Sequence, residues 1–343
     1  MILSKEVVNT LFMEFKQKNV TPSTVLGCRS SHGTSVYNNK LYVLGGEIVA
    51  RTPVDSTLWS LALNSEEGKE VQWTSVETNT SDAPSPRIAH TQVIANDQLY
   101  IFGGRQGITM DESPLNDLWK FHFETSTWTL VETNETSNAP SPRSFHKMLS
   151  VGNNTLYVFG GCATVGRLND LHKYDIASNT WTQLALAPDD LPGRGGAGFV
   201  ANQDGTKLYV VGGFYGHESN GVWQYDVASN AWSTVLPEGN DQLRPFSVAC
   251  GVTVENKLIF FGGEVNPSEK GHEGAGGFTD DVVILDGTTG LPIAAEMTST
   301  VRPMARGWSD ADIWNGHLVV YGGLSGSDEA PQRLEDVWLL KTC

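Results

Sequence analysis

The segment Glu264-Val265-Asn266-Pro267-Ser268-Glu269-Lys270-Gly271-His272-Glu273-Gly274 gathers carboxylates, a histidine and glycines into one stretch of chain. Carboxylate oxygen and imidazole nitrogen suit ferrous iron, manganese or zinc, and Glu264 and His272 are the pair that could reach a common ion. A solvated acidic loop with one satisfied histidine is the competing reading of the same residues. Two arginines offer a second chemistry: Arg105 directly follows Gly103-Gly104, and Arg167 stands in the stretch after Gly160-Gly161. Guanidinium groups grip sulfate or carboxylate through paired N–H donors, more strongly where water is excluded. The expectation is a pocket for a small anion, to which a metal ion would add a second function.

A repeat must position these residues. Six Gly-Gly pairs begin at Gly45, Gly103, Gly160, Gly212, Gly262 and Gly322, at intervals of 58, 57, 52, 50 and 60 residues. Each closes a β-branched or aromatic run, such as Tyr100-Ile101-Phe102 or Tyr209-Val210-Val211, of the kind that fills a strand buried on both faces. The interval fits four-stranded propeller blades. Trp73, Trp128, Trp181 and Trp232 mark the outer strands of four of them. An arginine stands 16 to 18 residues before each glycine pair: Arg29, Arg87, Arg143, Arg194, Arg244 and Arg306. These six are expected near one mouth of the central channel, as posts between blades or as anion ligands. His32, His90 and His146, each three residues after such an arginine, are expected to be structural. Only three residues follow Val337-Trp338-Leu339-Leu340, so the last blade needs an outer strand from elsewhere. The segment Leu11-Phe12-Met13-Glu14-Phe15 is expected to supply it and close the ring, with residues 1–10 as a lead-in and residues 1–343 as one domain.

Composition narrows the partners. At 39% hydrophobic residues with 36 glycines the chain can build a large core, and no apolar run is long enough to span a membrane. A net charge of −16 argues against nucleic acid and anionic membranes, since phosphate binding needs concentrated positive charge. Cys28, Cys162, Cys250 and Cys343 lack metal-site or disulfide-framework spacing, and the N-terminus lacks a signal-peptide pattern. A cytoplasmic location is expected. No copper site of the galactose-oxidase type can be assembled from these cysteines and histidines.

The order Gly-Gly, Tyr, Trp resembles the Kelch repeat and covers essentially the whole chain, implying an all-β, six-bladed Kelch β-propeller. Gly263-Glu264-Val265, Pro267, Gly271-His272 and Gly274, with Arg194-Gly195-Gly196-Ala197-Gly198-Phe199 and Arg306-Gly307-Trp308, are similar to the plant glucosinolate specifier proteins. That resemblance implies a nitrile-specifier, epithiospecifier or thiocyanate-forming activity. Such proteins act as Fe(II)-dependent lyases on the sulfated aglucone that myrosinase releases. It further implies that Glu264 and His272 are iron ligands, that Arg105 and Arg167 hold the sulfate, and that Phe145 and Trp308 form an aromatic pocket. The family's aspartate ligand falls on Ser268, and serine is a poor ferrous ligand. A third ligand would then come from Glu269, Asn266, Asp280 or water. The alternative is a non-enzymatic Kelch scaffold that presents its loops to a protein partner.

Overall fold

The computed structural model describes residues 11–23, 26–66, 68–107, 112–133, 138–270 and 274–342. Every regular element in them is a β-strand, and no helix is long and apolar enough to cross a membrane. Six antiparallel meanders stand around an axis. Blade one holds Gly33–Tyr37, Lys40–Leu44, Trp59–Ala62 and Thr74–Ser75; blade two Thr91–Ala95, Gln98–Phe102, Leu118–His122 and Thr127–Leu130. Blade three runs through Lys147–Val151, Thr155–Cys162, Arg167–Asp175 and Thr180–Gln183, and blade four through Gly198–Ala201, Lys207–Val211, Val222–Asp226 and Ala231–Leu236.

The last two blades share their strands. Blade six consists of Asp310–Trp314, His317–Tyr321 and Val337–Thr342, closed on its outer side by Leu11–Gln17 in antiparallel register, with Phe15 opposite Leu340. Met13 and Phe15 are buried there, and Phe15 packs edge-on against Phe261 of blade five at 5.1 Å. The expected N-terminal closure is therefore present, while residues 1–10 lie outside the described residues. Blade five has three strands, Cys250–Val254, Lys257–Phe261 and Val282–Asp286. The short strand Ala295–Met297, next in the chain, pairs parallel with Leu11–Gln17 on blade six instead.

Apolar side chains of adjacent blades interleave into one core cluster per interface, such as Phe261, Val252, Leu318 and Val320 between blades five and six. Buried arginines brace each blade from within, and their carbonyls accept from the Gly-Gly of the preceding blade, as Arg87 O does from Gly46 N at 2.9 Å. Arg87 donates to Gly103 O at 3.0 Å and to both Asp117 oxygens at 2.7 and 2.8 Å. Arg143 with Asp170, and Arg306 with Asp336, repeat the fork. Arg29 reaches Gly45 O at 2.8 Å and Asp55 at 3.7 Å. In blade four Arg194 bonds Gly212 O and Ser219 Oγ, and its guanidinium lies 4.4 Å from the Trp223 ring centre.

The fifth arginine of the sequence pattern does not belong to this set. Arg244 is exposed and pairs with Asp281 at 3.7 Å. The position equivalent to the other five is Phe246, whose carbonyl accepts from Gly213 N as Arg143 O accepts from Gly104 N. Phe246 is buried against the Phe260 ring, an apolar occupant of the place that arginine holds in the other blades. His32, His90 and His146 are buried and held neutral, their pKa values lowered first by burial and then by the neighbouring arginines. The rings of His32 and His146 stand edge-on to Tyr321 and Phe102, respectively, which is the structural role expected of them.

Candidate functional site

Two registers of the repeat build the mouth of the ring. The first is the residue after each Gly-Gly: Glu47, Arg105, Cys162, Phe214, Glu264 and Leu324. Each forms a β-bridge to a residue just before an inner strand, for example Ile88 with Arg105 and Ser247 with Glu264. Glycine is required beside them because the backbones touch: with φ of +62°, a Cβ on Gly103 would sit 2.7 Å from Arg143 O.

The second register is the residue two after each blade arginine or its equivalent: Ser31, Ala89, Phe145, Gly196, Val248 and Trp308. All six have left-handed backbones, with φ between +47° and +60°. Their N–H groups donate around the ring to the preceding member's carbonyl: Ser31 to Trp308 at 2.9 Å, Ala89 to Ser31 at 2.8 Å, Phe145 to Ala89 at 2.9 Å, Gly196 to Phe145 at 2.9 Å, Val248 to Gly196 at 2.8 Å, and Trp308 to Val248 at 3.1 Å. A closed circle of six hydrogen bonds thus ties the blades together at the axis. Left-handed geometry is unfavourable for Phe, Trp and especially β-branched Val, and such residues persist where surrounding structure holds them, commonly at functional sites.

These two registers enclose a cavity of about 290 Å³. Arg105, Arg167, Phe145, Trp308, Glu264 and Ser268 all line it, as do Arg51, Cys162, Phe214, Gly196 and Val248. Residues from blades one to six therefore meet around one space, although they lie up to 257 positions apart, from Arg51 to Trp308. Beneath the circle lies a cavity of about 50 Å³, and below that the central channel of about 390 Å³, lined by the inner strands.

One wall is cationic. Arg105 is 4% exposed, with Nη2 donating to Glu112 O at 3.0 Å, and burial lowers its pKa from the ordinary arginine value. Arg167 is exposed, with its guanidinium 4.8 Å from the centre of the Phe214 ring. Arg51, on the blade-one loop, completes the wall. The opposite wall carries Glu264, which is 6% exposed and whose carboxyl is pushed up to about 8, first by burial and then by the neighbouring Glu218 and by Asp328. Burial also raises Glu218, which faces Ser247 Oγ at 3.5 Å. That upward shift lessens the negative charge facing the guanidinium groups across the space. Phe145, Phe214, Trp308, Ile88, Val248 and Pro267 make the rest of the lining largely apolar.

The loop after Gly262-Gly263 is clamped by blade six: Asp328 Oδ1 accepts from Ala275 N and Gly276 N, both at 3.0 Å. Ser268 Oγ accepts from Lys270 N at 3.0 Å and also engages Asp328. Glu269 and Asn266 are exposed and do not line the cavity, and Asp280 is paired with Arg302 at 3.5 Å. His272 lies outside the described residues. Among the described residues no three His, Cys, Asp or Glu side chains come together as a metal site. Of the carboxyls named above, Glu264 alone lines the cavity, with Glu218 buried beside it.

Sequence reasoning missed Arg51, Cys162, Phe214, Glu218, Gly196 and Val248. For Cys162 and Phe214 a signal existed: both directly follow a Gly-Gly, the register that holds Arg105 and Glu264. Gly196 and Val248 occupy the Phe145 and Trp308 register, which was obscured in blade five because Phe246 stands where an arginine was sought.

Comparison with known proteins follows the same lines. Residues 31–263 match the KLHDC2/KLHL20/DRC7 Kelch-repeats domain. Over 331 residues the chain is 31% identical to the N-(sulfonatooxy)prop-2-enimidothioate sulfolyase of Thlaspi arvense, covering 89% of this chain and 91% of that protein. It is 31% identical over 215 residues to host cell factor 1 of Homo sapiens, which spans 59% of this chain but 10% of that protein. Among solved structures, that of YjhT superposes with a TM-score of 0.72 at 17% identity, covering 94% of this chain and 97% of the other, a likeness of fold.

Proposed function

The chain belongs to the Kelch-repeat family, and on that footing we propose that it is a specifier-like lyase that takes a small organic sulfate, such as a glucosinolate aglucone, and directs it towards a nitrile. The observation that carries this reading is the meeting of Arg105, Arg167, Phe145, Trp308 and Glu264 around one 290 Å³ cavity. The similarity to a sulfolyase across nearly the full length of both chains supports it.

In this reading Arg105 and Arg167 bind the sulfate and neutralise the charge it gains as it departs, an electrostatic contribution available without reorganisation because Arg105 is already buried and held. Phe145 and Trp308 hold the apolar part of the substrate and exclude water from the reacting end. Fe(II), when bound, would supply redox or Lewis-acid chemistry at the acidic wall, with Glu264 and His272 as its holders. Ser268 is occupied by Lys270 N and Asp328, and Glu269 faces solvent. Neither adds a ligand to that set.

Anaerobic Fe(II) calorimetry on the wild type, Glu264→Ala and His272→Ala tests the metal, and nitrile release from myrosinase-treated glucosinolate tests the reaction. Binding lost in both variants together with nitrile formation supports the proposal. No nitrile from the iron-loaded wild type overturns it. A second reading, a scaffold for a protein partner, is favoured by Val49, at the end of the short strand Glu47–Val49, and Val165, on a loop of blade three, which are 64% and 90% exposed.

A further inference from the structure

We infer that the left-handed residue of each blade is the position at which this pocket sets the size of its ligand, and that Val248 and Gly196 set it in this chain. The inference rests on the anion-pocket reading above and adds a substrate class to it: organic sulfates with a short, slim apolar group.

The backbone at the six positions is fixed by the circle of interblade hydrogen bonds. A change of side chain there alters the pocket floor without moving its walls. All six residues border the small cavity beneath, and Phe145, Gly196, Val248 and Trp308 also border the mouth cavity. The circle is thus the partition between the two spaces, and its side chains decide how deep a ligand sits. Phe145 and Trp308 fill blades three and six. Gly196 lies between Phe145 and Val248, and Val248 covers it: a Cβ added there would come 2.6 Å from Val248 Cγ1. Cys162, whose Sγ is 2.8 Å from the Cβ position of the adjoining Gly195, links this floor to the wall that carries Arg105 and Arg167. A sulfate held by those arginines brings the first carbons of its organic group onto the Val248 methyls, which set how deep they can sit. Valine is among the residues least suited to this backbone, so its presence at φ +47° points to the side chain rather than to folding.

The test is calorimetric titration of the wild type, Val248→Ala and Gly196→Ala with methyl, butyl and hexyl sulfate, and with the matching alcohols as neutral controls. Alanine at 248 is easier to hold in the left-handed region than valine, so this variant keeps the ring, which its melting temperature checks. In Val248→Ala the preference for hexyl over methyl sulfate is expected to rise about fifteenfold, from two further carbons buried at about fourfold each. Methyl sulfate affinity is expected to stay the same. Gly196→Ala is expected to move the preference the other way. An unchanged hexyl-to-methyl ratio in Val248→Ala overturns the inference. If alcohols bind as tightly as sulfates, the anion reading fails, while the size ratio within either series still decides the role of Val248. Binding of neither series overturns both.

Discussion

Buried and pocket arginines should separate cleanly on substitution. Arg87 makes five hydrogen bonds, to Ser85 O and Oγ, Gly103 O and both oxygens of Asp117, and its side chain is fully buried. Replacing it with leucine leaves Asp117, itself largely enclosed, with Trp119 Nε1 at 2.7 Å as its remaining side-chain donor. Breaking a buried ion pair by removing one partner costs about 3–5 kcal/mol. With an unfolding entropy of about 0.7 kcal/mol per degree for a chain of 343 residues, the melting temperature of Arg87→Leu is expected to fall by about 4–7 °C. Arg167→Ala removes an exposed guanidinium lying over Phe214 and should shift it by no more than about 1–2 °C. For sulfate binding the order reverses. Loss of a charge-assisted hydrogen bond, about 1.5–3 kcal/mol, weakens affinity in Arg167→Ala by about ten- to a hundredfold. Scanning calorimetry and sulfate titration on the two variants decide the matter. Equal melting shifts, or an Arg87→Leu protein as stable as the wild type, would refute the division between posts and ligands.

Other consequences concern closure, pH and the glycine pairs. Phe15→Ala, at the strand that closes blade six, is expected to cost about 3–5 kcal/mol, and deletion of residues 1–17 should abolish the cooperative melting transition. Burial tends to raise the carboxyls of Asp117, Asp170 and Asp336, but hydrogen bonds from their arginines outweigh it and hold them below the ordinary range. Their stabilisation is present above the unfolded-state pKa of about 4 and is lost as pH falls through the lower folded values, so melting temperature should drop steeply in acid and less steeply in Asp117→Asn. Glu264 works in the opposite sense: its folded pKa, raised to about 8, gives a contribution present at low pH and lost as pH rises through that value, and Glu264→Gln should flatten the alkaline limb. Gly103→Val, which meets Arg143 O and a φ of +62°, should prevent soluble expression where Gly152→Ala, with open space around its Cβ position, does not.

Much of the architecture could be read in the linear pattern because strand burial and tight backbone approach each demand particular residue types. A β-branched run ending in Gly-Gly has few ways to fold, and six of them close a ring. The N-terminal strand was legible by subtraction, since the last blade ran out of chain. The exchange by which Ala295–Met297 leaves blade five for blade six was not, because three residues of an edge strand pair by proximity alone. Arg244 shows the limit of counting residue types: it keeps the spacing, but Phe246 occupies the buried post, and hydrophobic packing there does what an ion pair does elsewhere.

For the site, Arg105 was legible from its residue type directly after a Gly-Gly and Glu264 from the loop it opens, and four of the six residues in that register line the cavity. What the sequence alone determined was the repeat, and with it the set of positions that face the axis. What only the tertiary structure decided was which of them meet, and in what state: Glu264 buried beside Glu218 with its carboxyl pushed up to about 8, Phe214 beneath Arg167, and Val248 bent into a left-handed backbone. Those properties arise from contacts between blades, and from the loss of water there, which no local stretch of chain contains.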